Sequence, residues 1–434
     1  MNIREIRGRN NMQLRKLIKY NPLTNYLRWE YIDFHQRRYV SKLQKREKIN
    51  VVFFAMQRSL WKYQNLYRVI SKNNRFNVSI VLSPAQNFAK EQQEKDMEGL
   101  RRFFKEMGIS YIDYDVEHPQ NAIDVKKELD PDILFYPQHY TPLLNPLHDS
   151  SHFYDRLICY YPYALWTTGG SWGYNSGMQN HAWKLFYSTK FNLEDARTYC
   201  FNKGKNAYVV GYPSMDDFLQ GDYHYEWKIP DEKVKKIIWA PHFSINSGNR
   251  IINRACFLWM ADTMIDIAQK YKDKLQIVFK PHPRLMTELY DHPDWGKDKT
   301  DQFYHLWETM PNTKVETGNY IDLFMTSDAM IHDCGSFSVE YLYSKNPVMF
   351  MTNGEEEYRK ELNGLGNGAL DQHYIGTDTD AIYHFFDNVV ISGKDTMKDM
   401  RNKFVNDVLL PPNGKSVVDN TMDIICSNLL LPTN

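Results

Sequence analysis

The sequence lacks several features that would assign it to a common class of protein. It has five cysteines in 434 residues and no Cys-x-x-Cys pair, so neither a disulfide framework nor a zinc site is expected and a reducing cytoplasm is favoured. No apolar run approaches the roughly 20 residues of a membrane-spanning helix, and the amino terminus has no signal-peptide core. A Walker A motif and a strand followed by G-x-G-x-x-G are also missing, which argues against a P-loop NTPase and a nicotinamide-dependent dehydrogenase.

Net charge is zero for the whole chain but is unevenly distributed along it. Basic and acidic residues each number 53, yet residues 1–50 carry 13 basic and 4 acidic side chains. In residues 1–47, here called the arm, Trp, Tyr and Leu alternate with Lys and Arg. This mixture suits the surface of an anionic membrane, and it equally suits a helix that packs on the protein with a solvated basic face. Nucleic acid is not expected as a partner, because no finger, RNP-like or helix-turn-helix signature is present.

From residue 48 onward, short apolar runs typical of buried parallel strands alternate with helical segments. This pattern predicts an α/β protein with two doubly wound, Rossmann-like domains that face a cleft. We assign residues 48–215 to an amino-terminal Rossmann-like domain and residues 216–434 to a carboxy-terminal Rossmann-like domain, with the last helix crossing back to the first. The predicted strands include Lys48–Met56, Asn77–Ser83, Ile109–Asp115, Asp132–Gln138, Arg156–Tyr163, Trp183–Thr189, Lys235–His242 and Leu275–Lys280.

Three strand ends in the second domain carry polar clusters, and ligands of open α/β sheets bind beyond such ends. Two prolines flank the histidine of the sequence KPHPR, residues 280–284, so this segment should leave the sheet as a stiff extended turn. The turn DCGS, residues 333–336, precedes a predicted helix whose free amides suit an anion. We therefore predict a diphosphate site without a metal, formed by His242, Lys280, His282, Arg284, Asp333, Gly335, Ser336, Ser338 and Glu340.

The same segments resemble a known family, the CDP-glycerol glycerophosphotransferases of teichoic-acid synthesis. Residues 320–351, YIDLFMTSDAMIHDCGSFSVEYLYSKNPVMFM, are similar to its D-L…S-D…D-Y-S-S…[DE] segment. FKPHPR (279–284) resembles its K-x-H-P motif, GYPSMD (211–216) resembles its G-Y-P-R-x-D linker, and WAPHFS (239–244) occupies the place of its A-P-T-[WF]-R strand end.

This resemblance implies a GT-B fold and the transfer of glycerol phosphate from CDP-glycerol to a hydroxyl of a surface polysaccharide or a lipid-linked precursor, with release of CMP and no cofactor. It also implies a membrane-associated arm at the inner face of the cell membrane. By the same resemblance, His282 would stabilise the diphosphate and the leaving group, and Ser336 with the amides after Gly335 would hold the phosphates.

The sequence departs from the family at the H-G-T-P motif, whose histidine is proposed as the general base. We find no such motif in the nearest equivalent region, residues 160–177, and nominate His242 as the base, with His181 and Asp333 open as substitutes. The glycine-rich stretch 167–177 is predicted to be an acceptor loop. Two alternatives stay open: a glycosyltransferase or nucleotide-sugar epimerase on the same fold, and a non-catalytic member that binds nucleotide or polymer.

Overall fold

The structure is a computed structural model that describes residues 21–245, 255–318 and 320–431. Within these residues the chain divides into two compact units. The first unit comprises the described residues up to Ala164, Gly169–Asp216 and the described residues from Pro411 onward. The second comprises Leu165–Thr168 and the described part of Asp217–Leu410. The first twenty residues of the arm lie outside the described residues.

The first unit is built on a six-stranded sheet. Its strands are β1 (Ile49–Ala55), β2 (Phe76–Leu82), β3 (Ile133–Tyr136), β4 (Leu157–Tyr160), β5 (Lys184–Tyr187) and β6 (Ala207–Val209). They pair in parallel in the order β2-β1-β3-β4-β5-β6. Every residue of β3, β4 and β5 is buried, as expected for parallel strands that are covered by helices on both faces.

The second unit is built on another six-stranded parallel sheet. Its strands are β7 (Lys235–Ala240), β8 (Leu275–Phe279), β9 (Thr313–Val315), β10 (Ala329–His332), β11 (Val348–Met351) and β12 (Tyr374–Gly376). Their order is β12-β11-β10-β7-β8-β9. The predicted fold class is therefore confirmed: the chain is an α/β protein with two Rossmann-like sheets.

Helices flank both sheets. In chain order they are α1 (Pro22–Leu43), α2 (Gln64–Lys72), α3 (Lys90–Glu106), α4 (Val125–Glu128), α5 (Ser171–Tyr174), α6 (Gly177–His181), α7 (Lys190–Tyr199), α8 (Met215–Phe218), α9 (Phe257–Lys270), α10 (Leu285–Tyr290), α11 (Gly296–Thr309), α12 (Ile321–Thr326), α13 (Phe337–Glu340), α14 (Glu355–Glu361), α15 (Gly364–Leu370), α16 (Thr379–His384), α17 (Lys398–Phe404) and α18 (Val417–Leu429). No helix within the described ranges is both long enough and apolar enough to cross a membrane.

Aromatic side chains fill much of the core of the second unit. The ring of Trp239 on β7 lies 4.8 Å from that of Phe279, 5.1 Å from that of Trp307 and 5.7 Å from that of Phe257, between ring centroids. Aromatic pairs at these distances add to the stabilisation from their buried area. This cluster lies under the carboxyl ends of β7 and β8, so it supports the loops that follow them.

Helix α1 accounts for the described part of the arm. The Asn21 side chain accepts hydrogen bonds from the amides of Leu23 and Thr24, which caps the helix at its start. One face is buried against the first unit through Trp29, Ile32, Gln36, Val40 and Leu43, and each large apolar side chain so buried contributes about 1.5–3 kcal/mol to stability. The helix therefore packs on the body of the protein.

A buried carboxylate fixes this helix to the sheet. Asp132 accepts hydrogen bonds from the Tyr39 hydroxyl at 2.7 Å, from the Arg46 guanidinium at 2.6 Å and from the amide of Asn50 at 2.9 Å. Burial, together with the hydrogen bond to Asp132, raises the pKa of Tyr39 to about 12.

Two local predictions differ from the structure. The segment predicted as a strand over Ile109–Asp115 makes a single parallel bridge, between Val81 and Ile112, because its acidic side chains pair outward, Asp113 with Arg101. The helix predicted after Gly335 is the single turn α13, which continues as a 3-10 turn.

Candidate functional site

The candidate site of the second unit lies where the strand order of its sheet reverses. The chain moves from β7 outward through β8 and β9, returns to β10 on the other side of β7, and then moves outward through β11 and β12. Ala240 and His332 are paired at the ends of β7 and β10. Such a reversal leaves a crevice at the carboxyl ends of the strands, where ligands of open α/β sheets bind.

Asp333, directly after β10, binds backbone amides of the segment that follows β7. Its two carboxylate oxygens accept hydrogen bonds from the amides of His242 and Cys256, each at 2.6 Å. The side chain is buried, and burial raises its pKa to about 7, against the opposing effect of these amides. Asp333 therefore holds the loop after β7 in place, and both of its oxygens are used for that purpose.

His282 is fixed in a defined orientation by the residues around it. Its amide donates to the Pro241 carbonyl at 3.0 Å, and its Nδ1 accepts from the amide of Arg284 at 3.1 Å. Burial, and then the charge of Arg284, lower the pKa of His282 to about 4. The ring is thus neutral at physiological pH with its proton on Nε2, because Nδ1 is an acceptor.

His242 has a similar arrangement. Its Nδ1 lies 2.9 Å from the Ser244 hydroxyl and 3.3 Å from the Ser244 amide, which donates to it. In the neutral ring the proton is then on Nε2, so this geometry favours donation of a hydrogen bond from Nε2 over the general-base role for which the sequence nominates His242.

A ring and a cation complete the cluster. The centroid of the His282 ring lies 5.2 Å from that of His242 and 4.4 Å from that of Phe243. The Arg284 guanidinium lies 4.2 Å from the centroid of Phe243 and also pairs with Glu288. Two imidazole N–H donors and one guanidinium are thereby gathered at adjacent strand ends.

Lys280 takes a different position from its neighbours in the sequence. Its ammonium donates to the Gly318 carbonyl at 2.9 Å, and burial lowers its pKa. The lysine therefore ties the loop after β8 to the loop after β9, and this contact occupies one of its three donors.

The turn after β10 carries the remaining predicted residues. Ser336 is exposed, and its hydroxyl lies 3.4 Å from the Cys334 sulfur. The Ser338 hydroxyl donates to the Gly335 carbonyl, and Glu340 is buried. Of this group, Ser336 presents its hydroxyl to solvent, whereas Ser338 and Glu340 are turned into the protein.

A pair of buried histidines under this turn was missed by the sequence analysis. The Nε2 atoms of His332 and His373 lie 3.3 Å apart. His332 Nδ1 lies 3.1 Å from the Cys334 carbonyl and 3.2 Å from the Cys334 amide, and His373 Nδ1 lies 2.8 Å from the Ala369 carbonyl. Burial lowers both pKa values, that of His373 to about 3, so the pair is neutral and fixes the start of the turn.

The first unit has a cavity of about 690 Å³ on the loop that follows β3. Its lining is rich in hydroxyl groups, and Ser176 and Gly177 of the glycine-rich stretch contribute to it. His139 also lines this cavity, with its Nδ1 3.2 Å from the Tyr160 hydroxyl, and burial lowers its pKa to about 4. His139 is not among the predicted site residues. Residues 139–142 nevertheless read H-Y-T-P, which differs by one residue from the H-G-T-P motif.

Among the described residues, no group of three His, Cys, Asp or Glu side chains has the arrangement of a metal site. The two Rossmann-like sheets, with polar strand ends at the reversal point of the second, define the GT-B class of α/β proteins. Residues 169–371 match the sequence profile of the family described as CDP-Glycerol:Poly(glycerophosphate) glycerophosphotransferase. The resemblance inferred from the sequence is thus confirmed over just under half of the chain, and the match supports a transferase of the glycerophosphotransferase type.

Solved structures with a similar fold include proteins described as UDP-N-acetylglucosamine 2-epimerases. A protein of Listeria monocytogenes assigned as a UDP-N-acetylglucosamine 2-epimerase has a TM-score of 0.57 and 14% identity, covering 88% of this chain and 96% of that chain. MnaA of S. aureus in a co-structure with UDP has a TM-score of 0.55 and 14% identity, covering 90% and 98%. The UDP-GlcNAc 2-epimerase of Neisseria meningitidis bound to UDP-GlcNAc has a TM-score of 0.52 and 15% identity, covering 88% and 99%. At these identities the likeness shows the fold alone. A search of curated protein sequences finds no match.

Proposed function

We propose that this protein transfers a glycerol-phosphate unit, or a similar polyol-phosphate unit, from CDP-glycerol to a hydroxyl of a surface polysaccharide or a lipid-linked precursor. The observation that carries the proposal is the cluster of His242, His282 and Arg284 at adjacent strand ends, within the segment that matches the family. Two imidazole N–H donors and a guanidinium suit a diphosphate better than they suit a neutral sugar.

The reaction is a substitution at phosphorus. The acceptor oxygen forms a bond to the β-phosphorus of the donor, the bond from that phosphorus to the bridging oxygen breaks, and CMP leaves with the negative charge on its phosphate. The acceptor proton is released. Hydrogen bonds from His282 and His242 Nε2, with the charge of Arg284, would stabilise the oxygens on which charge develops.

The other predicted residues would support this site. Ser336 would donate its exposed hydroxyl to a phosphate oxygen, and Gly335 would allow close approach of the backbone. Asp333 and Lys280 would act as positioning residues through the amides and the carbonyl that they hold. The contacts of Ser338 and the burial of Glu340 fit a supporting role in the same turn.

The acceptor would bind in the first unit, in the cavity beside β3. Four serine and threonine residues line this cavity: Ser151 and Ser176, and the buried pair Thr141 and Ser150, whose hydroxyls lie 2.6 Å apart. Hydroxyl groups suit the neutral hydroxyls of a polyol or sugar. The glycine-rich stretch contributes two of the lining residues, which supports its assignment as an acceptor loop.

The arm would bring the protein to an anionic membrane. Beside its buried face, α1 exposes the apolar side chains of Leu23, Tyr26, Leu27 and Phe34, each at 51% exposure or more. Exposed apolar and aromatic side chains next to basic residues are typical of helices that lie on membrane surfaces. We propose a peripheral location at the inner face of the cell membrane.

The first experiment is to measure CMP release from CDP-glycerol by the purified protein, with and without membranes from the source organism. Release that depends on the membranes supports the proposal. The His282→Ala variant serves as the matched control for contaminating phosphatases. Absence of release, together with turnover of UDP-N-acetylglucosamine, would show a sugar-nucleotide enzyme instead.

A further inference from the structure

A basic groove runs along α1 on the first unit and shares Tyr154 in its lining with the cavity beside β3. One stripe of the helix carries Arg28, Tyr31, His35, Arg38 and Lys42, spaced three or four residues apart so that they share one face. Opposite this stripe stand residues 154–157, at the amino end of β4, and His181. Together these residues, here called the α1 groove, enclose a cavity of about 790 Å³.

The charge of the α1 groove is positive and largely uncompensated. Among the described residues, Arg28, Arg38 and Lys42 form no ion pair; Arg28 contacts His181 at 3.3 Å and Arg38 lies over the ring of Phe34. Arg156 is compensated, because it pairs with Asp130 at 2.8 Å. The one acidic residue in the lining is Asp155. Such a surface binds an anion.

The shape of the groove indicates an extended ligand. From Arg28 to Lys42 the helix rises by about 21 Å, at about 1.5 Å per residue. On one wall the rings of Tyr154 and His181 are stacked, with centroids 3.8 Å apart. A single phosphate would engage one end of this groove, whereas a chain with repeated phosphates would engage the cations along its length.

We propose that the α1 groove binds the phosphodiester backbone of an extended polyol-phosphate chain, the acceptor or product of the proposed reaction. The inference rests on the proposed function for the identity of the chain. A membrane surface fits less well, because the groove is recessed between α1 and the body of the unit. Leu23 and Leu27, two exposed apolar side chains of α1, are not among the residues that line the groove.

The test is direct binding of a fluorescent oligo(glycerol phosphate) of about six units to the full chain, measured by anisotropy over a range of salt concentrations. The Arg38→Gln/Lys42→Gln variant should raise Kd about tenfold or more and flatten its salt dependence, because fewer counterions are released on binding. The matched control is Arg37→Gln/Lys45→Gln, which removes the same charge from exposed positions outside the groove. The control should raise Kd less than threefold.

Two results would overturn the inference: no binding of the oligomer by the wild-type protein, or equal weakening in the control. In the first case, loss of binding to phosphatidylglycerol vesicles in the groove variant would show that the groove contacts a membrane instead. The binding assay needs no donor. Oligomer binding without CMP release would therefore leave the groove supported and the proposed reaction refuted. Transfer to a short acceptor should be unchanged in the groove variant, since neither residue lies among the donor-site or acceptor-cavity residues.

Discussion

The carboxyl edges of the two sheets differ in charge. In the second unit, His282 and Arg284 present an N–H donor and a guanidinium beyond β8. In the first unit, the cavity beyond β3 is lined by hydroxyls, by apolar side chains, by the neutral His139 and by Asp149, and none of the described residues in its lining is Lys or Arg. Ligands of such sheets bind at the carboxyl edge of the strands in both cases. The side chains of the loops therefore determine which ligand each edge can bind. The second edge suits a diphosphate and the first suits a neutral polyol, as a transfer between two such substrates requires.

The largest effect is expected at the charged edge. The His282→Ala variant should lower kcat by about 10²–10³-fold, the range for removal of one donor to a developing oxyanion, while the free energy of unfolding changes little. Steady-state CMP release and chemical denaturation measure the two quantities. His305→Ala, on the exposed side of α11, is the matched control and should keep wild-type turnover. A wild-type rate in His282→Ala would remove the diphosphate assignment.

The next largest effect is expected at Asp333, which fixes the loop at the charged edge. Asp333→Asn replaces one acceptor oxygen with an NH₂ group that faces an amide of His242 or Cys256, which leaves a buried donor without an acceptor. We expect a loss of about 1–3 kcal/mol in the free energy of unfolding, measured by urea denaturation. Asp273→Asn, at an exposed position, should lose nothing measurable. Equal stability of both variants would show that the two amides find other partners.

A smaller effect is expected at the neutral edge. Ser151→Ala removes one exposed hydroxyl from the cavity of the first unit. The KM for the acceptor should rise by about fivefold, equivalent to one hydrogen bond of about 1 kcal/mol, with the KM for the donor unchanged. Ser71→Ala on α2 is the control. A change in donor KM alone would reverse the assignment of the two edges.

The sequence predicts most of the fold and part of the site. Strand ends at His242 and His282 are predictable, because each follows a continuous apolar run and is close to a proline. The inward hydrogen bonds of Asp333 cannot be predicted from the sequence, because its partners His242 and Cys256 lie 91 and 77 residues away along the chain. The His332–His373 pair, separated by 41 residues, is hidden for the same reason.

The arm shows the same limit. Its composition fits both a membrane surface and a packed helix, and the burial of Trp29 and Leu43 shows that α1 packs on the first unit. The α1 groove exists only because this helix lies opposite residues 154–157, which no local pattern reveals. Long-range packing thus creates the surface, while the spacing of its basic residues is visible in the sequence.

The smallest effect is expected in the pH dependence of kcat/KM, which tests whether the edge of the second unit is closed to water. Because burial and Arg284 lower the pKa of His282 to about 4, the ring is neutral throughout the range from pH 5.5 to 8. The folded ring is protonated only as the pH falls through about 4. In the unfolded chain the histidine takes up its proton near pH 6.5, so the free energy of unfolding is constant above pH 6.5, decreases as the pH falls from about 6.5 to about 4, and is constant again below that. The ratio of kcat/KM between the wild-type protein and His282→Gln should therefore vary by less than about twofold between pH 5.5 and 8. Other titrating groups cancel in this ratio, so a step near pH 6.5 would show that His282 is solvated like an ordinary surface histidine and that the edge of the second unit is open to water.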